Sequence, residues 1–223
     1  MNTDTKTPRL IGVAFLVQAV ASVVAGSMLP GVLNVSDNIV DTMANLADSA
    51  VQIRAGIMVE MVTVIALIVL SVLLFVLFRN QNLKIALVAL GLRLTEVALL
   101  ATSRVATFAL LRVSQTSAVE GHPAYLQALG TLAYESQEFA YSINMVFFAL
   151  GGTLFYYLLH RSGYVPRALA LCGLIVAPLA LLGTIGELLG LAVPLFMFIP
   201  NLPFELAIGL WLLVKGIGDA DGT

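Results

Sequence analysis

Charge is what this sequence has least of. Only 11% of its 223 residues are Asp, Glu, Lys or Arg, against about a quarter in soluble domains. A chain that is also 60% hydrophobic cannot cover itself with a water-facing surface, so it reads as an integral membrane protein. The basic and acidic residues nearly cancel, at a net charge of -2, and the basic ones lie thinly between apolar runs. Nucleic-acid binding needs a concentrated basic footprint, so no nucleic-acid partner is expected. A single cysteine, Cys172, excludes an internal disulfide and a cysteine metal cluster; lying in an apolar run, it is expected to be buried as a small hydrophobe. The two histidines, His122 and His160, fall on opposite sides of the membrane and cannot jointly hold haem or zinc. H-E-x-x-H, G-x-S-x-G, G-x-x-x-x-G-K and G-x-G-x-x-G are all missing. No catalytic residue, metal site or cofactor is expected.

What the chain has is long apolar runs. About 20 residues at 1.5 Å each cross the roughly 30 Å of bilayer hydrocarbon, and six segments qualify: Pro8 to Leu29, Val51 to Phe78, Leu83 to Leu111, Ser136 to Leu159, Pro166 to Leu188 and Pro200 to Lys215. The last is short, and Leu195 to Ile199 belongs either to it or to a re-entrant turn. The first run is too long for a cleavable signal sequence and is read as a retained helix. The expected fold is therefore an all-α six-transmembrane-helix bundle forming a single domain over 1–223. Lys6, Arg9, Arg79, Lys84, Arg161, Arg167 and Lys215 lie on one side, and Asp37, Asp41, Asp48 and Glu120 on the other, with Arg54 and Arg112 at span edges there. By the positive-inside rule both termini are expected in the cytoplasm, and the protein in a bacterial inner membrane.

Two outer loops are long enough to fold. Ile39, Val40, Met43, Leu46, Ala47 and Ala50 recur at helical spacing, which predicts a short amphipathic helix with Ser36 as N-cap and Asp37 in its first turn. Pro123 predicts a second helix start, with a bend near Gly130. Tyr134, Phe139 and Tyr141 are expected at the outer interface and Tyr156, Tyr157 and Tyr164 at the inner one. Glycines 91, 151, 152, 173, 183, 186, 190 and 209 permit close helix approach, and the Gly151-Gly152 pair and Pro178 are expected to bend their helices.

The third run, GLRLTEVALLATSRVATFALLR, carries Arg93, Glu96 and Arg104. Its 13 Leu, Ile, Val and Phe residues between Ile85 and Leu111 favour insertion by about 6 kcal/mol, and three charges at about 3 kcal/mol each cancel that. Arg93 and Arg104 fall about 20° apart on a helical wheel and Glu96 about 60° away, so one polar stripe must face the protein interior. Arg93 and Glu96 are set to pair at i, i+3, while Arg104 needs acidic partners from other helices. Counting inward from the outer ends places Glu60, Glu138, Glu187 and Glu205 at its depth, with Arg54 nearby. Arg54, Glu60, Arg93, Glu96, Arg104, Glu138, Glu187 and Glu205 are the candidate ligand-binding residues.

The blocks RAGIMVEMV (54–62), GLRLTEVALL (91–100), RSGYVPRALALCGLIVA (161–177) and PFELAIGLWLLVKG (203–216) resemble those of a bacterial membrane family catalogued as domain of unknown function 4386. The resemblance covers nearly the whole chain. It implies a six-helix prokaryotic membrane protein with importance for Arg54, Arg93, Arg161, Gly163, Pro166, Glu205 and Trp211, and it implies no particular activity.

The expected function is an outward-facing polar pocket inside the membrane that binds or carries a small ligand or cation. The alternatives are a membrane-embedded enzyme acting on a lipid-like substrate through Glu135, Glu138 and His122, or a non-catalytic membrane subunit. The bilayer and a small molecule or cation are the expected partners, and homo-oligomerisation is left open.

Overall fold

The computed structural model describes residues 6–29 and 38–217. The described residues form seven α-helices and one short 3-10 turn: α1 Lys6–Met28, α2 Ile39–Asp48, α3 Ala50–Phe78, α4 Leu83–Glu120, α5 Ala124–Ser162, α6 Arg167–Leu188, the 3-10 turn Leu195–Met197, and α7 Asn201–Val214. Six helical segments are long and apolar enough to cross a membrane, the last running from Leu195 to Val214. The turn thus completes the short sixth span, because α7 alone rises only about 21 Å.

The amphipathic α2 forms as its periodicity predicts, with Met43 and Leu46 buried. Its cap is Asn38, whose side chain accepts the Val40 amide at 3.0 Å; Ser36 and Asp37 lie outside the described residues. Helices α4 and α5 reach far beyond the apolar runs that announced them. At 38 and 39 residues each rises roughly 57 Å, nearly twice what the hydrocarbon needs. Only residues 121–123 separate them. Gly121 (φ 76) and His122 (φ 61) turn the chain in the left-handed region, and the Pro123 carbonyl accepts the Leu126 and Gln127 amides that start α5. Helix α5 runs unbroken through Gly130, Gly151 and Gly152, and α6 through Pro178.

Along α4, residues 93, 96, 100, 103, 107, 110, 114 and 117 are all buried. The alternating spacing of three and four is that of a coiled-coil seam, and it carries the predicted polar stripe toward protein rather than lipid.

The chain divides into two compact units that cut across the helices: Met1–Ala19, Ile65–Val97 and Ser142–Thr223 form the first, Val20–Val64 and Ala98–Tyr141 the second. The first unit is cored by Ile11, Phe15, Leu70, Phe78, Phe155, Tyr156, Phe204 and Ile208. Tyr156 is therefore core, packed edge-on against Phe204 with ring centres 4.9 Å apart, and not the interfacial anchor expected of it. Cys172 departs the other way: it is exposed on α6, because its apolar run presents a face to lipid.

Glycine permits a backbone-to-backbone approach in this unit. A Cβ on Gly12 of α1 would lie 2.5 Å from the Leu213 amide nitrogen and 2.7 Å from the Gly209 carbonyl oxygen of α7. The two helices meet there backbone to backbone, the small-residue packing that membranes favour.

The second unit is cored by Leu29, Met43, Leu46, Ile53, Leu110 and Leu111. Gly130 makes room for Met43, whose sulfur would stand 2.5 Å from a Cβ at that position. The Gln52 side chain closes the end of α1 by donating to the Met28 carbonyl at 3.2 Å.

Candidate functional site

In the first unit, four helices bring polar groups into an apolar interior. Arg93 and Glu96 of α4 form the i, i+3 pair foreseen from their spacing, with Nη1 2.9 Å from Oε2 and both side chains almost fully buried. The two atoms are close but not aligned for a hydrogen bond. The Arg93 guanidinium lies over the Phe148 ring at 5.2 Å, and its stem lies along α5 because residue 151 is glycine: a Cβ there would be 2.8 Å from Arg93 Cδ. That is the local reason for a glycine where a bend was expected. Asn144 of α5 donates to the Glu96 carbonyl at 2.8 Å.

Glu205 of α7 enters the same unit from another side. It is 8% exposed, its Oε2 accepts from Gln18 Nε2 of α1 at 2.9 Å, and its Oε1 is buried with no hydrogen-bond partner. Arg93 and Glu96 both lie within electrostatic range of it. Helical rise places these groups deep in the membrane. Gln18 is 12 residues from Lys6, Arg93 and Glu96 are 10 and 13 from Leu83, and Glu205 is 9 from Val214, so each stands roughly 14–20 Å from its basic-flanked helix end, near the middle of the hydrocarbon. Counting inward from Pro200 sets Glu205 in the outer half; the sixth apolar segment instead begins at Leu195, and that places Glu205 about midway along it.

Chemically this is an arginine facing two carboxylates. Burying an ion costs several kcal/mol even after relaxation, and one guanidinium compensates one carboxylate. Arg93 stands nearest Glu96, so Glu205 has a neutral amide as its hydrogen-bond donor and only a shared arginine as counter-charge.

In the second unit Arg104 of α4 faces Glu60 of α3, Nε to Oε2 at 3.7 Å, both nearly buried. The guanidinium lies 5.9 Å from the centre of the Tyr141 ring of α5. Thr63 and Gln137 are buried nearby in the helical register, one turn from Glu60 and from Tyr141 respectively.

Of the four carboxylates expected around Arg104, the described ion pair supplies Glu60. Glu205 makes its described contacts with Gln18 and the Arg93–Glu96 pair. Glu138 is exposed and accepts from Gln137 at 3.1 Å, and Glu187 and Arg54 are exposed at helix ends. His122 serves the turn, with Nδ1 3.1 Å from Ser117 Oγ and its carbonyl accepting from Gln127. Among the described residues no three His, Cys, Asp or Glu side chains are placed to hold a metal.

Residues 10–216 match the family model described as domain of unknown function (DUF4386). The chain belongs to the DUF4386 family. No curated protein and no solved structure matches it. Three of the residues that the resemblance marked find structural reasons in this DUF4386 chain. Gly163 occupies the left-handed region (φ 68) between α5 and α6. Pro166 caps α6, its carbonyl accepting the Leu169 and Ala170 amides. Trp211 packs on the core of the first unit.

Gln18, Asn144 and Phe148 were not singled out from sequence. The available signal for the amides was modest: each is a lone uncharged polar residue within an apolar run.

Proposed function

We propose that this DUF4386 protein is a multi-pass protein of the bacterial inner membrane, with both termini in the cytoplasm, that binds and carries a single positive charge, a proton or a monovalent cation, at Glu205. The observation that carries this reading is the imbalance in the first unit: Glu96 and Glu205 are 2% and 8% exposed and Arg93 is 4% exposed, two carboxylates to one arginine. A carboxylate at that depth needs a counter-charge, and a mobile cation or proton supplies it. Gln18 holds one oxygen of Glu205 in place and leaves the other for the ligand.

Thermal stability of the purified full chain in neutral detergent tests the reading. Stability should rise with sodium, lithium or proton concentration, following simple mass action, and the response should vanish in Glu205→Gln. An equal response in both proteins, or none in the wild type, contradicts it.

A further inference from the structure

We propose that the second unit holds a separate site for a small dipolar ligand, a molecule with one anionic and one cationic group and no net charge, held jointly by Arg104 and Glu60. This goes beyond the Glu205 reading and rests on different residues.

The first argument is the geometry of the pair. Arginine–carboxylate pairs gain most when they close to hydrogen-bond distance, frequently with two parallel bonds. Here Nε and Oε2 stand 3.7 Å apart, and Arg104 Nε is buried with no hydrogen-bond partner. Each ion is attracted by the other, and neither is satisfied by it.

The second argument is what surrounds them. Thr63 Oγ1 and Gln137 Oε1 are likewise buried and unpartnered, in residues 2% and 3% exposed. Thr63 follows Glu60 by one turn of α3, and Gln137 precedes Tyr141 by one turn of α5, so both lie on the faces that carry the charged pair and its aromatic neighbour. Unpartnered buried polar atoms cost about 1–3 kcal/mol each. Two such atoms share helix faces with the loose ion pair and its aromatic neighbour, and a polar guest would give them partners.

The third argument is charge. Arg104 and Glu60 cancel, so a guest of either net charge would leave one charge uncompensated in a poorly polarisable interior. A dipolar guest gives both what they lack: its anionic group accepts from the Arg104 guanidinium, and its cationic group donates to the Glu60 carboxylate. Thr63 Oγ1 and Gln137 Oε1 offer further acceptors to an ammonium. Free α-amino acids and the phosphoethanolamine headgroup of a lipid share this chemistry.

The test uses purified full chain in neutral detergent, followed by thermal stability against L-alanine and against short-chain phosphatidylethanolamine. Acetate and ethylammonium, each with half of the dipole, are controls at matched ionic strength. Dose-dependent stabilisation by one or both dipolar probes, and by neither control, is expected; alanine alone would assign the site to a free amino acid, the lipid alone to a headgroup. Arg104→Gln and Glu60→Gln should each weaken the response about tenfold or more. The comparison among probes needs only the wild type, so a variant that fails to fold does not rescue the idea. A response to acetate or ethylammonium as large as to the dipolar probes, an unchanged response in folded variants, or no response to either dipolar probe would overturn it.

Discussion

Replacing Gly12 by alanine adds one methyl group where α1 and α7 of the first unit meet backbone to backbone. That Cβ would lie 2.5 Å from Leu213 N, 2.7 Å from the Gly209 carbonyl oxygen and 2.9 Å from Leu213 Cα. Carbon contacts are comfortable at about 3.5–4.0 Å, and all three obstacles are backbone atoms that cannot rotate aside. Helices α1 and α7 must therefore part by about 1 Å. Overpacking of this kind costs about 1–3 kcal/mol. The same movement stretches the Gln18–Glu205 bond, now 2.9 Å, beyond hydrogen-bonding reach, and losing a bond to a buried carboxylate costs about 1.5–3 kcal/mol. We expect a loss of about 3–5 kcal/mol, which for a chain of this size lowers the melting temperature by roughly 6–20 °C. The assay is thermal unfolding of purified protein in detergent, with Gly91→Ala as control. Gly91 is helical with no neighbour within 4 Å of a Cβ, so alanine there should be neutral or stabilising by up to about 1 kcal/mol. If Gly12→Ala melts within a degree or two of wild type, the backbone contact between α1 and α7 is not as described.

Other perturbations follow from the same contacts. Arg93→Gln leaves Glu96 buried without its counter-charge and should lower folding yield by the equivalent of about 3–5 kcal/mol; adding Glu96→Gln should restore part of it, and a double variant as poor as the sum of its parts would show that the two groups do not interact. Gly130→Ala presses on the Met43 sulfur and should cost about 1–2 kcal/mol, but less in a Met43→Ala background, where strictly additive losses would contradict the contact. Reporter fusions after Asn80 and Gly163 should report the cytoplasm and those after Leu46 and Gln115 the outside; a consistent reversal would end the proposed orientation.

The parts of the fold that were legible in sequence are those set by hydrophobic length and local spacing. Six spans follow from run length because lipid demands about 20 apolar residues of each, and the Arg93–Glu96 pair follows from i, i+3 geometry within one helix. The full extents of α4 and α5 were not legible: beyond Leu111 and before Ser136 the helices leave the apolar pattern, and membrane-thickness arguments say nothing about helix outside the hydrocarbon. The bond between Gln18 and Glu205 joins residues 187 apart and involves an uncharged amide, so neither charge nor period announced it. Gly12 gave no sign either, since a glycine in an apolar run looks the same whether it faces another backbone, as here, or open space, as Gly91 does. Sequence could count the acidic groups inside the membrane, but their allocation between Arg93 and Arg104 depends on which helices touch.

If Glu205 takes up one positive charge inside the membrane, a charge-displacement recording detects it. Proteoliposomes adsorbed on a solid-supported membrane are exposed to a rapid jump in proton or sodium concentration, and entry of the charge into the protein registers as a transient current. Such a current is expected for at least one of the two jumps in the wild type, and it should be lost in Glu205→Gln. The same current in both proteins, or none for either jump, would contradict it.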